Sequence, residues 1–176
     1  MAGSIGEFNK SLQRSFVAPR KRNKIGDMTI SPANLGTPLP TLPAVSVCIG
    51  CYNQADFIET AIRSVAAQTY SEFDCAVVDD FSTDDSCKRI QACLSEMNDD
   101  RFRFLPCRNN SGQMATLMTG LDATDAPLFA FLDGDDIWNA EFLECHVRAH
   151  LSRAGIAALS SSDEILVDER GTTLSG

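Results

Sequence analysis

Leu128-Phe129-Ala130-Phe131-Leu132-Asp133-Gly134-Asp135-Asp136 decides the fold: five apolar residues run unbroken into three carboxylates within four positions. A short apolar run bounded by turn residues has the character of a strand buried on both faces. Such strands belong to parallel sheets covered by helices on either side. The same unit recurs upstream. Val45-Ser46-Val47-Cys48-Ile49, ended by Gly50, reads as a strand, as does Phe73–Val78, which opens into Asp79-Asp80-Phe81-Ser82-Thr83-Asp84-Asp85. Between them Phe57, Ile58, Ala61, Ile62, Val65 and Ala66 keep the 3–4 spacing of one buried helix face. Asp56 is the expected cap of that helix. Ser82–Asp85 should turn the chain into a helix over Ser86–Met97, followed by a strand at Arg101–Leu105. The loop Asn109-Asn110-Ser111-Gly112 then leads to a helix over Met114–Asp122. After the opening stretch, a helix over Glu141–Arg153 and a strand over Ile156–Ser161 are expected. Strand and helix alternating in this way predict an α/β fold with right-handed crossovers and a mainly parallel sheet.

Ligands of such sheets collect at the carboxyl ends of the strands. Here the polar clusters sit at those ends: Tyr52-Asn53 after the first strand, Asp79-Asp80 after the second, Asp133–Asp136 after the fourth. Three carboxylates in four residues repel one another unless something compensates. A divalent cation does so, since Mg²⁺ is commonly held by one or two carboxylates plus phosphate oxygens. Spacing alone fits a solvated, capped turn equally well. Gly134 should let the turn bring its neighbours to one point. A carboxylate at Asp79 or Asp80 could accept hydrogen bonds from a base or ribose, as the acidic residue of dinucleotide folds does. The glycine fingerprint of those folds is absent, and so is a G-x-x-x-x-G-K-[ST] phosphate loop.

The net charge of −9 is uneven: residues 1–43 hold six Lys/Arg against two acids (+4), and residues 44–176 nine against 22 (−13). An acidic folded part argues against nonspecific nucleic-acid binding. Residues 1–43, with Pro19, Pro32, Pro38, Pro40 and Pro43 and no sustained periodicity, read as a disordered tail whose first eight residues could be vector-derived. Its run Arg20-Lys21-Arg22-Asn23-Lys24 could contact anionic lipid or nucleic acid, the alternative being a solvated arm. Seven cysteines, set within apolar runs, suggest reduced thiols in a cytosolic protein. No stretch approaches the ~20 apolar residues of a membrane span.

Val45–Val47 with Tyr52-Asn53-Gln54, Ser64–Tyr70 (SVAAQTY), Val77–Asp85 (VVDDFSTDD), Asn110–Gln113 (NSGQ) and Phe131–Asp136 (FLDGDD) stand in the order and spacing of glycosyltransferase family 2. The chain resembles the nucleotide-binding half of that family over roughly residues 44–170. The resemblance implies a GT-A, Rossmann-like three-layer α/β/α sandwich over residues 44–176, C-terminally incomplete. It further implies transfer of a sugar from a nucleotide-diphospho-sugar, with inversion, to a sugar, lipid or protein hydroxyl in cell-surface polysaccharide biosynthesis. A UDP-sugar is the leading donor. By the same resemblance Tyr52 would lie against the base with Gly50 and Cys51 beside it, Asp80 would hydrogen-bond the base and Asp79 would support the pocket. Asp133 and Gly134 would meet the nucleotide-sugar, and Asp133, Asp135 and Asp136 would hold Mg²⁺ or Mn²⁺. The general base of the family lies on a later segment, expected beyond residue 176.

Two departures stand out. Gly50-Cys51 replaces the Pro-Thr-like pair of many relatives, and Thr116-Leu117-Met118 stands where relatives often carry Arg-Asn near phosphate. Gln113 is either a polar substitute for that pair or a helix-start residue. Cys48-x-x-Cys51 reads as buried thiols rather than a metal site, and His146/His150 as an ordinary helix face rather than a zinc pair. Trp138 is either a sugar platform or a core anchor. A donor-binding module without turnover and a nucleotidyltransferase-like phosphate-binding domain are the alternatives to an active transferase.

Overall fold

The computed structural model describes residues 17–19, 42–151, 159–162, 164–168 and 172–175. The elements run β1 (Val17–Pro19), β2 (Val45–Cys51), α1 (Ile58–Ala66), β3 (Phe73–Asp79), α2 (Ser86–Met97), β4 (Phe102–Pro106), α3 (Gln113–Asp122), β5 (Leu128–Asp133), α4 (Phe142–Leu151), β6 (Leu166–Val167) and β7 (Thr173–Ser175). Strands β2, β3, β4 and β5 are mutually parallel, as the unbroken apolar runs require, and the sheet order is β1-β5-β2-β3-β4. Of the expected tail, Val17–Pro19 pairs antiparallel with β5, a short edge strand that no sequence pattern announces. The rest of residues 1–41, including the basic run at 20–24, lies outside the described residues.

Because side chains alternate along a strand, each central strand feeds two cores. Val45, Val47, Ile49 and Cys51 of β2 pack with Val77 of β3 and Leu132 of β5 against Ile58 and Ile62 of α1. Cys48 of β2 faces the other way, with Ala76, Val78, Phe129 and Phe131, beneath Leu117 and Leu121 of α3. Helices therefore cover both faces, giving three layers. Cys48 and Cys51, three apart on one strand, belong to opposite cores, so they form no common site. Burial pushes their thiols up to about 12 and about 11, as inert thiols should be.

The structure corrects some local expectations and decides others that were open. Asp56 does not cap α1, because the Phe57 and Ile58 amides already donate to the Gln54 carbonyl at 3.0 Å each. At α2, Asp84 rather than Asp85 receives an amide, that of Ser86 at 2.9 Å. Trp138 is a core anchor, stacked on Phe142 at 4.2 Å between centroids. His146 Nδ1 and His150 Nε2 share the Ser160 hydroxyl, at 2.7 and 3.0 Å. Residues 156–158 of the expected last strand lie outside the described residues, and Leu159–Ser161 form no strand. A β6–β7 hairpin follows instead, closed by the Asp168 amide donating to the Thr172 carbonyl at 2.9 Å. Among the described residues, no helix is long and apolar enough to cross a membrane.

Candidate functional site

The strand order 4-3-2-5 reverses direction between β2 and β5, which makes that junction the topological switch point of the sheet. A cavity of about 340 Å³ opens there, lined by the end of β2 (Gly50, Cys51, Tyr52, Gln54), Asp80 after β3, the start of α3 (Asn110, Gly112, Gln113, Thr116) and Asp133 and Asp135 after β5. Three strand ends and one helix start converge because parallel strands all finish on the same edge.

The β2–α1 loop is held open over this edge by the segment after β3. Asn53 Oδ1 accepts the Thr83 amide at 2.7 Å, its own amide donates to Ser82 Oγ at 2.9 Å, and the Gln54 amide donates to Ser86 Oγ at 2.9 Å. Ala55 donates to Asp84 Oδ2 at 3.1 Å. The fastening costs strain: Asn53 and Phe81 take left-handed φ values of 54° and 63°, and for a bulky residue such as Phe81 that is unusual. It leaves Tyr52 half exposed at the rim.

The predicted site residues divide into wall and support. Gly50, Cys51, Tyr52, Asp80, Asp133 and Asp135 line the cavity; Asp79, Gly134 and Asp136 do not. Asp79 is buried behind the wall, where Oδ2 accepts the Ser82 amide at 2.9 Å and the Cys87 thiol at 3.0 Å. Its Oδ1 has no hydrogen-bond partner among the described residues. Gly134 clamps β5 to β2, its amide donating to the Gly50 carbonyl at 2.8 Å. Its glycine is needed for close approach rather than for the turn conformation expected from sequence. An added Cβ would sit 2.4 Å from Gln54 Oε1 and 2.8 Å from the Gly50 oxygen, and among the described glycines only Gly112, at φ 84°, has the positive φ of a turn glycine. Asp136 closes the turn, its amide donating to the Asp133 carbonyl at 3.0 Å.

Asp80 has a task that sequence reasoning did not find. Its two oxygens accept the amides of Ser111 (2.8 Å) and Gly112 (2.7 Å), so the carboxylate caps the start of α3 from 31 residues upstream. Gln54 and Thr116 also went unlisted by sequence reasoning, although Gln54 stands in the quoted Tyr-Asn-Gln motif. Gln113 starts α3, as one of its two readings had it, and its Nε2 donates to Asp133 Oδ1 at 2.7 Å, a contact neither reading foresaw.

Among the described residues, the wall carries three carboxylates and no Lys, Arg or His. Burial pushes Asp133 up to about 6, with the Gln113 hydrogen bond pulling the other way and the Asp135 charge adding to the rise. Burial, then repulsion from Asp135, Asp133 and Glu164, pushes Asp136 up to about 6 as well. Among the described residues no three His, Cys, Asp or Glu side chains converge on one point, so the acidic turn is not a complete protein cage for a metal. One or two carboxylates completed by phosphate oxygens fit what is present, in the manner usual for Mg²⁺.

A carboxyl whose folded pKa lies above its ordinary 3.8 keeps its proton in the fold after the unfolded chain has lost it. Stability is therefore expected to fall as pH rises from about 4 through about 6 and to stay lower above. The metal-free chain should unfold at a lower temperature at pH 7 than at pH 5.5. Asp133→Asn with Asp136→Asn should flatten that slope, and an unchanged slope in thermal melts would refute the assignment.

The model of a known family, described as "Glycosyl transferase family 2", matches residues 46–169. A putative teichuronic acid biosynthesis glycosyltransferase, TuaG of Bacillus subtilis, is 32% identical over 132 residues, covering 75% of this chain and 51% of TuaG. Among solved structures, S. aureus TarS 1-349 in complex with UDP-GlcNAc superposes with a TM-score of 0.55 at 26% identity, covering 62% of this chain and 31% of that one. The mannosyltransferase PcManGT of Pyrobaculum calidifontis, solved with GDP-Man and Mn²⁺, gives a TM-score of 0.53 at 25% identity, covering 56% of this chain and 29% of that one. The chain spans about half or less of the length of the curated relatives it matches first.

Proposed function

The chain belongs to glycosyl transferase family 2, and from that premise we propose that it is the donor-binding part of an inverting, metal-assisted sugar transferase acting on a nucleoside-diphosphate sugar. The observation that carries this reading is the switch-point cavity, whose wall, among the described residues, offers an aromatic face and three carboxylates but no cationic side chain. A diphosphate cannot sit against such a wall alone. Like charges about 4 Å apart repel by up to ~4 kcal/mol at an effective dielectric of 20. Tyr52 offers its half-exposed ring to the base, with Gly50 and Cys51 forming the floor beside it. Asp80, already holding the start of α3, keeps free lone pairs for a base or ribose donor. Asp133 and Asp135 would hold Mg²⁺ or Mn²⁺, with Asp136 behind them. Bound there, the metal would offset the charge that develops on the departing nucleoside diphosphate.

An acceptor hydroxyl attacking in line needs a carboxylate base. Of the acidic residues flanking β6 that are described, Asp168 accepts the Thr172 amide and Glu164 is exposed and does not line the cavity. UDP-sugars lead as donors, TarS being solved with UDP-GlcNAc, and a GDP-sugar follows on the PcManGT structure. A cytoplasmic location, with the basic run at 20–24 touching anionic lipid, completes the proposal.

Calorimetric titration with UDP-, GDP- and dTDP-sugars, with and without Mn²⁺, tests it. One donor class is expected to bind with Mn²⁺ and to lose roughly 100-fold in affinity without it, the size that the charge repulsion allows. Asp135→Ala should bind no better with the metal than without. Binding of every donor irrespective of metal, or preference for a nucleoside triphosphate, would defeat the reading.

A further inference from the structure

Asp133 is reached from across the cavity by a neutral amide donor, the side chain of Gln113. Gln113 sits on the first turn of α3, exposed, yet its Nε2 lies 2.7 Å from Asp133 Oδ1 at the end of β5. The position of that first turn is itself imposed. Asp80, at the end of β3 and 3% exposed, receives the amides of Ser111 and Gly112 at 2.8 and 2.7 Å. Gly112, at φ 84°, turns the chain directly into the helix. A hydrogen-bonded span therefore runs from β3 over the end of β2 to β5. Its last link is the only one made by a side chain free to rotate.

We infer that Gln113 is a positioning residue for the acidic turn: it fixes the rotamer of Asp133 by engaging Oδ1 and leaves Oδ2 as the oxygen presented to a divalent cation. The inference rests on the donor-site reading above. Two physical points favour it over a helix-start role. A residue at the start of a helix needs no side-chain partner on another strand. A carboxylate in a wall that, among the described residues, has no Lys, Arg or His has few other donors to hold it, and a neutral amide orients it without cancelling the charge a cation would use. Partners that orient a metal ligand in this way typically change metal affinity by about 10–100-fold when removed.

The test is Mn²⁺ binding to the full chain in the presence of saturating UDP, read from the electron paramagnetic resonance signal of free Mn²⁺. Gln113→Leu, which keeps bulk and removes the donor, should weaken Mn²⁺ binding about tenfold, the low end of that range. Gln113→Ala, which removes both the donor and the bulk, should weaken it by a similar factor. Neither should lower the thermal unfolding midpoint, the side chain being exposed. In an Asp133→Asn background, Gln113→Leu should change Mn²⁺ affinity by less than about twofold, because the residue acts through Asp133. Wild-type affinity in both single variants overturns the inference, and so does an equal loss in the Asp133→Asn background. If the wild-type chain with UDP takes up no Mn²⁺, the donor-site reading fails and this inference falls with it. Binding by the wild type with no response to Gln113 removes this inference alone.

Discussion

Gly134→Ala is expected to lower the affinity for a metal–nucleotide pair by about 100-fold, the scale on which a displacement of ~1 Å in a site is felt. The reason is steric and local. The new Cβ would lie 2.8 Å from the Gly50 carbonyl oxygen and 3.0 Å from Ile58 Cδ1. The Gln54 side chain, 2.4 Å away, can swing aside, but the backbone oxygen cannot. That oxygen also accepts the Gly134 amide at 2.8 Å, so relief of the clash pulls β5 from β2 at the point where Asp133 and Asp135 project. A cost in stability of about 2 kcal/mol should accompany it, within the range for overpacking. Calorimetry and chemical denaturation read the two effects. Full affinity in a folded Gly134→Ala chain would show that the β2–β5 clamp does not set the site.

Gly120→Ala should produce the largest loss of stability, about 3 kcal/mol, at the upper end for one added methyl in a packed core. An added Cβ would stand 2.2 Å from Cys48 Sγ and 2.6 Å from Cys48 Cβ, and Cys48 is fully buried in the middle of β2. Helix α3 must then lift from the sheet, against the packing of Leu117 and Leu121 on Phe129 and Phe131. Cys48→Ala on the same background removes the sulfur but not the Cβ contact, so only part of the loss should return. The midpoint of thermal unfolding should fall by roughly 10 °C in the single variant. A shift within about 2 °C, against that same scale, would mean that α3 sits more loosely on the sheet than described.

Much of this fold was legible because its signals are local. Leu128–Leu132 and Val45–Ile49 are apolar at successive positions, which only a sheet covered on both faces requires, and β5 and β2 formed where those runs stand. The α1 face repeats at helical spacing, and its buried residues are those expected: Ile58, Ala61, Ile62 and Val65. Placement of carboxylates at strand ends followed from the same reading, since parallel strands deliver their ends to one edge. What stayed hidden depends on contacts between distant segments. Asp80 meets Ser111 and Gly112 from 31 and 32 residues away, and Gln113 meets Asp133 from 20. No spacing rule connects such pairs. Glycine also misled: at Gly134 a turn conformation was expected, whereas the residue is required by a neighbouring strand that only the folded sheet brings within reach. The edge pairing of Val17–Pro19 with β5 escaped for a related reason, three residues being too few to carry a pattern.

The site follows from the same geometry. A sheet whose order reverses between β2 and β5 leaves a gap above its carboxyl edge, and the fastening of Asn53 to Ser82 and Thr83 keeps that gap from closing. At its edge the sequence gathers acidic groups at a cost, Asp133 on the wall and Asp136 in the turn behind it both pushed up to about 6. Uncompensated carboxylates destabilise a fold, and their concentration at the one edge where ligands collect is the reason for assigning them to a cation and a diphosphate.

The most direct test is crystallographic: crystals of the chain grown with UDP-GlcNAc and Mn²⁺, with anomalous differences collected at the manganese edge. The account predicts one strong peak within coordinating distance of Asp133 or Asp135, with the uracil ring against Tyr52. An ordered nucleotide in the cavity with no manganese beside the acidic turn, or manganese bound away from the ends of β2 and β5, would contradict it.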